Sequence, residues 1–146
     1  MYAELTLENI TLTKGATPSN HIGGAGVYVN SGGTLIMQGS STITGCQTTG
    51  GQGGGVFGSV EMEGGALVTP APGGKNDVFL LHVDKIKVTG ALTHNPAARI
   101  TPNNYSEGEV VVEGASAEEA NFTVTPNGSE SWRCEKVGNQ LKLKKN

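Results

Sequence analysis

Residues 53–58 read Gly-Gly-Gly-Val-Phe-Gly, which satisfies the spacing G-x-G-x-x-G of loops that cradle the pyrophosphate of a dinucleotide. Such a site needs a preceding strand, a helix that opens on the last glycine, and an acidic residue about 20 residues further on. Asp77 lies at a suitable distance, but the residues after Gly58 alternate like a strand and then turn. Without a helix there is no helix dipole to bind phosphate. We therefore predict that GGQGGGVFG, residues 50–58, turns a corner and binds no cofactor.

Charged residues between positions 61 and 99 form the second candidate site. Polysaccharide lyases and hydrolases need clustered carboxylates, often with calcium or with a lysine or arginine base beside them. The residues that would build such a carbohydrate cleft are Glu61, Glu63, Asp84 and Lys85, with Lys87 and Arg99 near them in sequence. We favour the other interpretation, in which these charges alternate on the solvent-facing outside of the fold. We assign no catalytic residue.

The remaining residue types suited to chemistry do not form a recognisable site. His21, His82 and His94 lack the paired spacing of zinc ligands. No aspartate follows the glycine clusters, as the calcium-binding repeat G-G-x-G-x-D would require. Cys46 and Cys134 lie far apart without C-x-x-C spacing, and we expect both to be unpaired. We therefore expect no metal, no cofactor and no catalysis.

Composition and charge limit the classes of partner. The chain of 146 residues is long enough for one domain, and its net charge of −3 gives no reason to expect nucleic acid as a partner. No stretch approaches the roughly 20 apolar residues of a membrane helix, so we expect no membrane insertion. The first residues, MYAELTLENITLTKG, lack the basic and apolar regions of a signal peptide. We interpret the basic end, LKLKKN, as a charged terminal strand that resists edge-to-edge pairing.

An internal repeat explains the 23 glycines. Four segments align at intervals of 30, 25 and 26 residues: LTLENITLTKG from Leu5, LIMQGSSTITG from Leu35, VEMEGGALVTP from Val60 and IKVTGALTHNP from Ile86. A second series interleaves with the first and has its valines at positions 27, 56, 78 and 110: GAGVYV, GGGVFG, NDVFLL and GEVVVE. Each period therefore holds two or three short strands separated by turns.

Each repeat also contains a predicted corner. Leu5 and Leu7 share one face of a strand, whereas the next two apolar residues, Ile10 and Leu12, are at even-numbered positions and would face the other way. A corner at Asn9 would turn both pairs toward the same interior, because asparagine and glycine tolerate left-handed backbone angles. The equivalent corners fall at Gly39, Gly64 and Gly90.

Short strands with regular corners could build a sandwich, a barrel or a β-solenoid. Hairpin architectures predict Asn-Gly or Asp-Gly turns, and Asn127-Gly128 is the only such dipeptide. We therefore predict an all-β fold, a right-handed parallel β-helix of about four to five rungs. Residues 1–102 would form the repeats, and residues 103–146 the closing rungs and cap of the same domain. In that cap, Tyr105 and Trp132 would cover the end of the apolar column.

The other end of the predicted column begins at Leu5 without a polar cap. Solenoids need caps to hide their last apolar layer and their open strand edges. We expect this end to be covered either by upstream β-helix repeats of a longer native chain or by self-association.

The run GGAGVYVNSGGTLIMQGSSTITGCQTTGGQGGGVFGSVEMEGG resembles the glycine-rich repeats of bacterial surface proteins with a right-handed parallel β-helix, and is similar to the repeats of polymorphic outer-membrane, autotransporter-like adhesins. The later stretch, from KNDVFL to GNQLKL, resembles their closing module. The resemblance implies a non-enzymatic segment of a cell-surface or secreted protein, acting as a rigid scaffold or spacer or as an adhesin-like face for a host or matrix ligand. The alternative is a carbohydrate-active β-helix enzyme that uses Glu61, Glu63 and Asp84. A binding function is expected at the widest turns, 13–22 and 45–54.

Overall fold

The computed structural model of the protein describes residues 3–18, 23–50, 52–71 and 75–146. Within those ranges the chain forms short β-strands and one 3-10 turn at Glu119–Asn121, and it contains no α-helix. In chain order the strands are β1 (Glu4–Glu8), β2 (Thr11–Thr13), β3 (Ala16–Thr17), β4 (Val27–Tyr28), β5 (Thr34–Gln38), β6 (Thr42–Thr44), β7 (Gln47–Thr48), β8 (Val56–Phe57), β9 (Val60–Gly64), β10 (Leu67–Val68), β11 (Val78–Leu80), β12 (Ile86–Leu92), β13 (Ala98–Pro102), β14 (Val110–Glu113), β15 (Phe122–Val124), β16 (Trp132–Val137) and β17 (Gln140–Lys145).

Pairing between successive coils arranges these strands into four sheets. The long sheet has the order β1-β5-β9-β12-β14-β17-β16, and the five-stranded sheet has the order β15-β13-β11-β8-β4. A three-stranded sheet, β10-β6-β2, and a two-stranded sheet, β3-β7, complete the coils. The pairings among β1 to β15 are parallel. The chain is therefore a parallel β-helix of about four turns, which confirms the predicted fold class.

The register of the long sheet reproduces the first repeat series. Leu5 pairs with Leu35, Leu35 with Val60, and Val60 with Ile86, as the sequence alignment predicts. Ile86 then pairs with Val112, which extends the series by one coil. The four members after Leu5 are at most 1% exposed. This ladder therefore forms one wall of the core.

The second series is correct for three of its four members. Val27 pairs with Val56, and Val56 with Val78, in the five-stranded sheet. The fourth assignment is wrong: Val78 pairs with Ile100, whereas Val110 begins β14 of the long sheet. The segments around Ile100 and Val110 are both short runs with β-branched residues, so their pattern alone does not determine which sheet each one joins.

The predicted corners exist in the first three coils. Asn9, Gly39 and Gly64 have φ angles of 52°, 61° and 61°, in the left-handed region. The Asn9 side chain also ties the first corner to the second, because its Oδ1 accepts hydrogen bonds from the Ser40 N–H at 3.0 Å and from the Ser40 hydroxyl at 3.1 Å. These corners therefore stack as well as turn.

The predicted corner at Gly90 is wrong. Strand β12 continues through Gly90 to Leu92, with an irregular register against β9 after Val88. The three-stranded sheet takes its members from the first three coils. The fourth coil contributes no strand to that sheet, and Gly90 does not adopt the positive φ of the three corners before it.

A buried asparagine replaces strand pairing in the wide turn of the third coil. Asn76 is fully buried and has a φ of 51°. Its Nδ2 donates to the carbonyl oxygens of Ile43 at 2.9 Å and Thr69 at 2.8 Å, and its Oδ1 accepts from the Cys46 N–H at 3.1 Å. Since an unpaired buried amide is unfavourable, these three bonds explain how a polar side chain can sit inside the stack.

The chain from residue 103 onward contains one further parallel coil and a hairpin. Strands β14 and β15 still pair in parallel with the preceding coil. Strands β16 and β17 then form an antiparallel hairpin, and β17 also pairs antiparallel with β14. Trp132 on β16 is 8% exposed, and its ring centroid lies 5.6 Å from that of Tyr105. Both aromatic residues therefore cover the core at this end, as predicted.

The interpretation of LKLKKN as an exposed edge strand is wrong. Strand β17 lies between β14 and β16, so it is paired on both sides. Leu141 and Leu143 are buried, whereas Lys142 between them and Lys144 after them are partly exposed. Gly138, with a φ of 61°, lets the chain reverse direction between β16 and β17. The turn thus converts the terminal segment into an internal strand.

Candidate functional site

The outer face of the long sheet carries a row of alternating charges. The register places Glu61 of β9 beside Lys87 of β12, and Lys87 beside Glu113 of β14. The Lys87 Nζ lies 3.5 Å from Glu61 Oε1, and both side chains are partly exposed to solvent. Neighbouring strands are about 4.8 Å apart, so these three side chains form a ladder across the sheet. Opposite charges on neighbouring strands stabilise such a pairing modestly.

Two shallow grooves follow this ladder and share Lys87 and Glu113. Their volumes are about 310 Å³ and about 360 Å³. The first is also lined by Thr34, Ser59, Val60, Glu61, Val83 and Lys85, and the second by Gly114, Asn139 and Gln140. We call the two together the charged groove. Its hydroxyl, amide, carboxylate and ammonium groups offer both donors and acceptors to a polar ligand.

The charged groove contains only part of the predicted carbohydrate cleft. Glu61 and Lys85 line it. Glu63 lies two residues further along β9, and its Oε2 accepts a hydrogen bond from the Thr89 hydroxyl at 3.1 Å. Arg99 lies on the five-stranded sheet, where its Nη1 donates to the Ala71 carbonyl at 3.0 Å. The structure therefore does not bring the predicted charges together at one point.

Asp84, the other predicted acid, shapes a turn beside the groove. Its Oδ1 accepts from the Ser59 hydroxyl at 2.8 Å, and its Oδ2 accepts from the Leu81 N–H at 3.3 Å. His82 in the same turn has a φ of 50°, and Val83 at its tip is 84% exposed. Asp84 therefore fixes the turn that presents an apolar side chain at the edge of the charged groove.

Among the charged residues that line the groove, Glu113 is the one that the sequence did not predict. It belongs to GEVVVE, which was aligned with the five-stranded series although it stacks on Ile86 and Lys87. An extension of the first series by another 26 residues, from Ile86 to Val112, would have placed Glu113 directly beside Lys87. The signal was therefore present as a regular repeat interval.

The glycine stretch turns a corner, as predicted. Gly53 and Gly58 have φ angles of 68° and 113°, and strand β9 follows Gly58 where a dinucleotide site would need a helix. The Gly54 N–H donates to Asp77 Oδ1 at 2.7 Å, and the Gly55 N–H donates to the Asp77 carbonyl at 3.1 Å. These amides, which would face a phosphate in a nucleotide site, instead attach the second coil to the third.

Asp77 is the most deeply buried carboxylate among the described residues, at 2% exposed. Burial raises the pKa of this carboxyl above its ordinary value, while hydrogen bonds from the Thr101 side chain and the Gly54 amide, together with the charge of Arg99, act in the opposite direction. Burial, and secondarily the charge of Asp77, raises the pKa of the Tyr105 hydroxyl to about 12. That hydroxyl donates to the Thr125 carbonyl at 2.8 Å, so it serves the packing of the closing segment.

Neither cysteine is placed as a reactive nucleophile. Cys46 and Cys134 are both free and buried, which agrees with the prediction that they do not pair. Burial, with a smaller contribution from the charge of Glu119, raises the pKa of the Cys134 thiol to about 12. His82 and His94 are exposed, and His21 lies outside the described residues. In the described part of the chain, no three His, Cys, Asp or Glu side chains are grouped as metal ligands.

The two widest predicted turns stack on each other. Strands β3 and β7 pair in parallel within them, and Gly23 forms a parallel bridge with Gln52. Residues 19–22 of the first turn and residue 51 of the second lie outside the described residues. The described parts of the two turns therefore pair with each other at β3 and β7 and again at Gly23 and Gln52.

The fold and the charged groove define a class of protein, the parallel β-solenoids with a polar outer face. Comparison with protein-family models, with curated proteins and with solved structures finds no match to this chain. Within the described ranges, no helix has the length and apolar character needed to cross a membrane.

Proposed function

We propose that this chain is a non-catalytic module of a bacterial cell-surface or secreted protein, in which a rigid β-solenoid presents a binding face to an extended polar ligand. The resemblance of the glycine-rich repeats to those of bacterial surface adhesins supports the location. The stacked parallel coils support the mechanical role, because each coil is hydrogen-bonded to its neighbours and the column resists bending.

The observation that carries the binding role is the charged groove. Glu61, Lys87 and Glu113 repeat at the spacing of the strands, so a ligand lying across the sheet meets an acid, a base and an acid in turn. Val83 adds an exposed apolar contact at the edge. An extended glycan or a peptide segment of a matrix protein has the alternating polar groups that such a surface can bind.

The experiment is a binding screen of the full chain against neutral glycans, anionic glycans and matrix proteins. The affinity of the ligand that binds is then measured for variants of the chain. Lys87→Ala should weaken binding about tenfold, because it removes the central charge of the groove. Lys75→Ala, at an exposed position in the turn before β11, is the matched control and should leave affinity unchanged. Unchanged affinity of Lys87→Ala would remove the groove from the proposal.

The wide turns are the second possible location for the binding face. Shortening turns 13–22 and 45–54 should leave attachment intact if the charged groove binds the ligand, and should abolish it if the turns do. If no ligand is bound by the intact chain, the spacer role alone remains. The two sets of variants therefore separate groove, turns and scaffold.

A carbohydrate-active enzyme is the second candidate, and the observation that favours it is the presence of Glu61, Lys85 and Glu113 around one groove. Cleavage of a polysaccharide by the full chain, lost in Glu61→Gln, would establish this activity in place of the non-catalytic role. The same assay is applied to Glu63→Gln and Asp84→Asn. The partners found for Glu63 and Asp84 support structural roles for these two residues.

A further inference from the structure

Among the described residues, the strands of the first coil have no pairing partner on the side away from the second coil. Strand β1 ends the long sheet, β2 ends the three-stranded sheet, and β4 ends the five-stranded sheet. Three of the five large apolar side chains that are exposed in the described residues lie in this coil: Leu5, Ile10 and Tyr28. We call this surface the open end.

Comparison along each ladder shows what kind of group fits the open end. Leu5 is 48% exposed, whereas Leu35, its partner in the next coil, is 0% exposed. Tyr28 is 48% exposed, whereas Phe57 below it is 4% exposed, and their rings stack with centroids 5.0 Å apart. Phe79 continues the same stack at 5.1 Å from Phe57. The side chain that covers each buried member comes from a parallel strand one coil above.

On the same side, the backbone of β1 presents N–H and C=O groups that have no partner strand in the described part of the chain. The Thr34 N–H donates to the Ala3 carbonyl, so odd-numbered residues of β1 direct their backbone groups toward β5. Backbone groups alternate in direction along a strand. Thr6 therefore directs its N–H and C=O to the open end. A groove of about 370 Å³, lined by Leu5, Tyr28 and their neighbours, lies beside this edge.

We propose that the open end binds a further parallel β-coil supplied by another solenoid segment. The strand over β1 places an apolar side chain on Leu5 and basic side chains opposite Glu4 and Glu8, and the strand over β4 places an aromatic side chain on Tyr28. The chain itself displays the apolar and aromatic parts of this arrangement between each pair of its first three coils; the basic side chains are inferred from the charges of Glu4 and Glu8. This mode is β-strand addition, in which backbone bonds supply affinity and alternating side chains supply specificity.

Charge selects this partner over a second copy of the chain. Two copies that meet by their open ends would pair β1 with β1 in antiparallel orientation, centred on the outward-facing Thr6. Glu4 of each copy would then lie opposite Glu8 of the other, and like charges directly opposite destabilise a strand pair. A coil with basic residues at these two positions meets no such repulsion. The proposal is independent of the charged groove, which lies on the outer face of the sheet.

The test uses the isotope-labelled full chain and a capped peptide that copies residues 33–45, with Thr34→Lys and Gln38→Lys to place a base over each glutamate. We expect saturable binding with amide shifts confined to the first coil. Thr6→Pro removes an outward N–H and is compatible with an edge strand. It should weaken binding at least tenfold, whereas Thr6→Val, the matched control, should retain it. Equal melting temperatures of the two variants would show that both are folded.

A charge exchange keeps the proposal testable if Thr6→Pro does not fold. The double variant Glu4→Lys, Glu8→Lys should lose affinity for the lysine peptide and gain affinity for the same peptide with glutamate at both positions. Absence of saturable binding, or amide shifts near Trp132 at the opposite end, would overturn the proposal. Dimerisation of the free chain in sedimentation experiments, abolished by Thr6→Pro, would overturn it in favour of a second copy. A failed glycan screen would leave this result unaffected.

Discussion

The two ends of the solenoid differ in how far they expose the apolar column of the core to solvent. At the open end, Leu5 and Tyr28 are each 48% exposed, and the outer edge of β1 has no partner in the described chain. At the other end, Leu141, Leu143 and Trp132 are 0%, 1% and 8% exposed. A parallel coil covers the coil below it and exposes its own upper layer. Parallel stacking alone therefore cannot complete a solenoid.

At the end formed by the β16–β17 hairpin, which we call the closed end, a change of strand direction covers the last apolar layer. The β16–β17 hairpin places β17 antiparallel to β14 and returns the chain across the core. Cys134 on β16 is 3% exposed, and this burial raises the pKa of its thiol to about 12. We expect the open end to lose its structure first on unfolding, because its layer has neighbours on one side only.

The largest expected effect on the free energy of unfolding comes from placing a charged side chain in the apolar column, and its size should differ between the two ends. Leu141→Asp would bury an unpaired carboxylate in a fully enclosed position and should lower the free energy of unfolding by several kcal/mol, enough to unfold a domain of this size. Leu5→Asp, at the half-exposed end of the column, should cost less than about 1 kcal/mol. Urea denaturation followed by circular dichroism measures both.

The pair of variants also tests whether the open end is exposed in solution. An effect of Leu5→Asp as large as that of Leu141→Asp would mean that a second copy or another contact covers Leu5. The comparison between the ends would then be wrong. Repeating the measurement at several protein concentrations separates association from folding, because only association depends on concentration.

An intermediate effect is expected from the aromatic residues. Trp132→Ala should destabilise the chain by about 3–5 kcal/mol, because it leaves a cavity under the hairpin beside Tyr105. Tyr28→Ala should cost about 1 kcal/mol, close to the value of its stacking on Phe57. Thermal unfolding gives the order of the two variants. Equal losses in the two would contradict the assignment of one open and one closed end.

Most of the parallel stack could be predicted from the sequence because it depends on a local repeat. Leu5, Leu35, Val60 and Ile86 were aligned in the register in which they pair, and the corners at Asn9, Gly39 and Gly64 follow from residue types that accept a positive φ. Each of these features is determined within one coil. The regular interval of the repeat then predicts the same feature at the equivalent position of the next coil.

The closing segment and the charged groove could not be predicted to the same degree. Val110 was placed in the wrong sheet, and β17 was taken for an edge, because both depend on which distant strand is the partner. The groove needs Glu113 beside Lys87, and that contact exists only once β14 is in register with β12. Alternation of charge showed which side chains face outward but did not determine which of them become neighbours across strands.

The smallest expected effect concerns Asp77, which joins the second coil to the third between the two ends. Burial raises the pKa of its carboxyl, against the opposing hydrogen bonds from the Thr101 side chain and the Gly54 amide. The unfolded chain loses this proton near pH 4, and the folded chain loses it at a higher pH. Between these values the folded state binds more protons, so the contribution of Asp77 to the free energy of unfolding falls as pH rises through the folded pKa. Above that pKa the contribution stays constant.

Asp77→Asn removes this titration while keeping an oxygen that can accept from the Gly54 N–H. The natural chain should therefore lose more stability between pH 4 and pH 7 than the variant does, as measured by the urea midpoint at each pH. Amide exchange then locates the difference. Because Asp77 bonds to the second coil, the change in protection should appear at Gly54 and Gly55 and should not reach the hairpin at the closed end. Equal pH slopes in the two proteins, or a change confined to the hairpin, would show that the buried carboxyl does not control the junction between these coils.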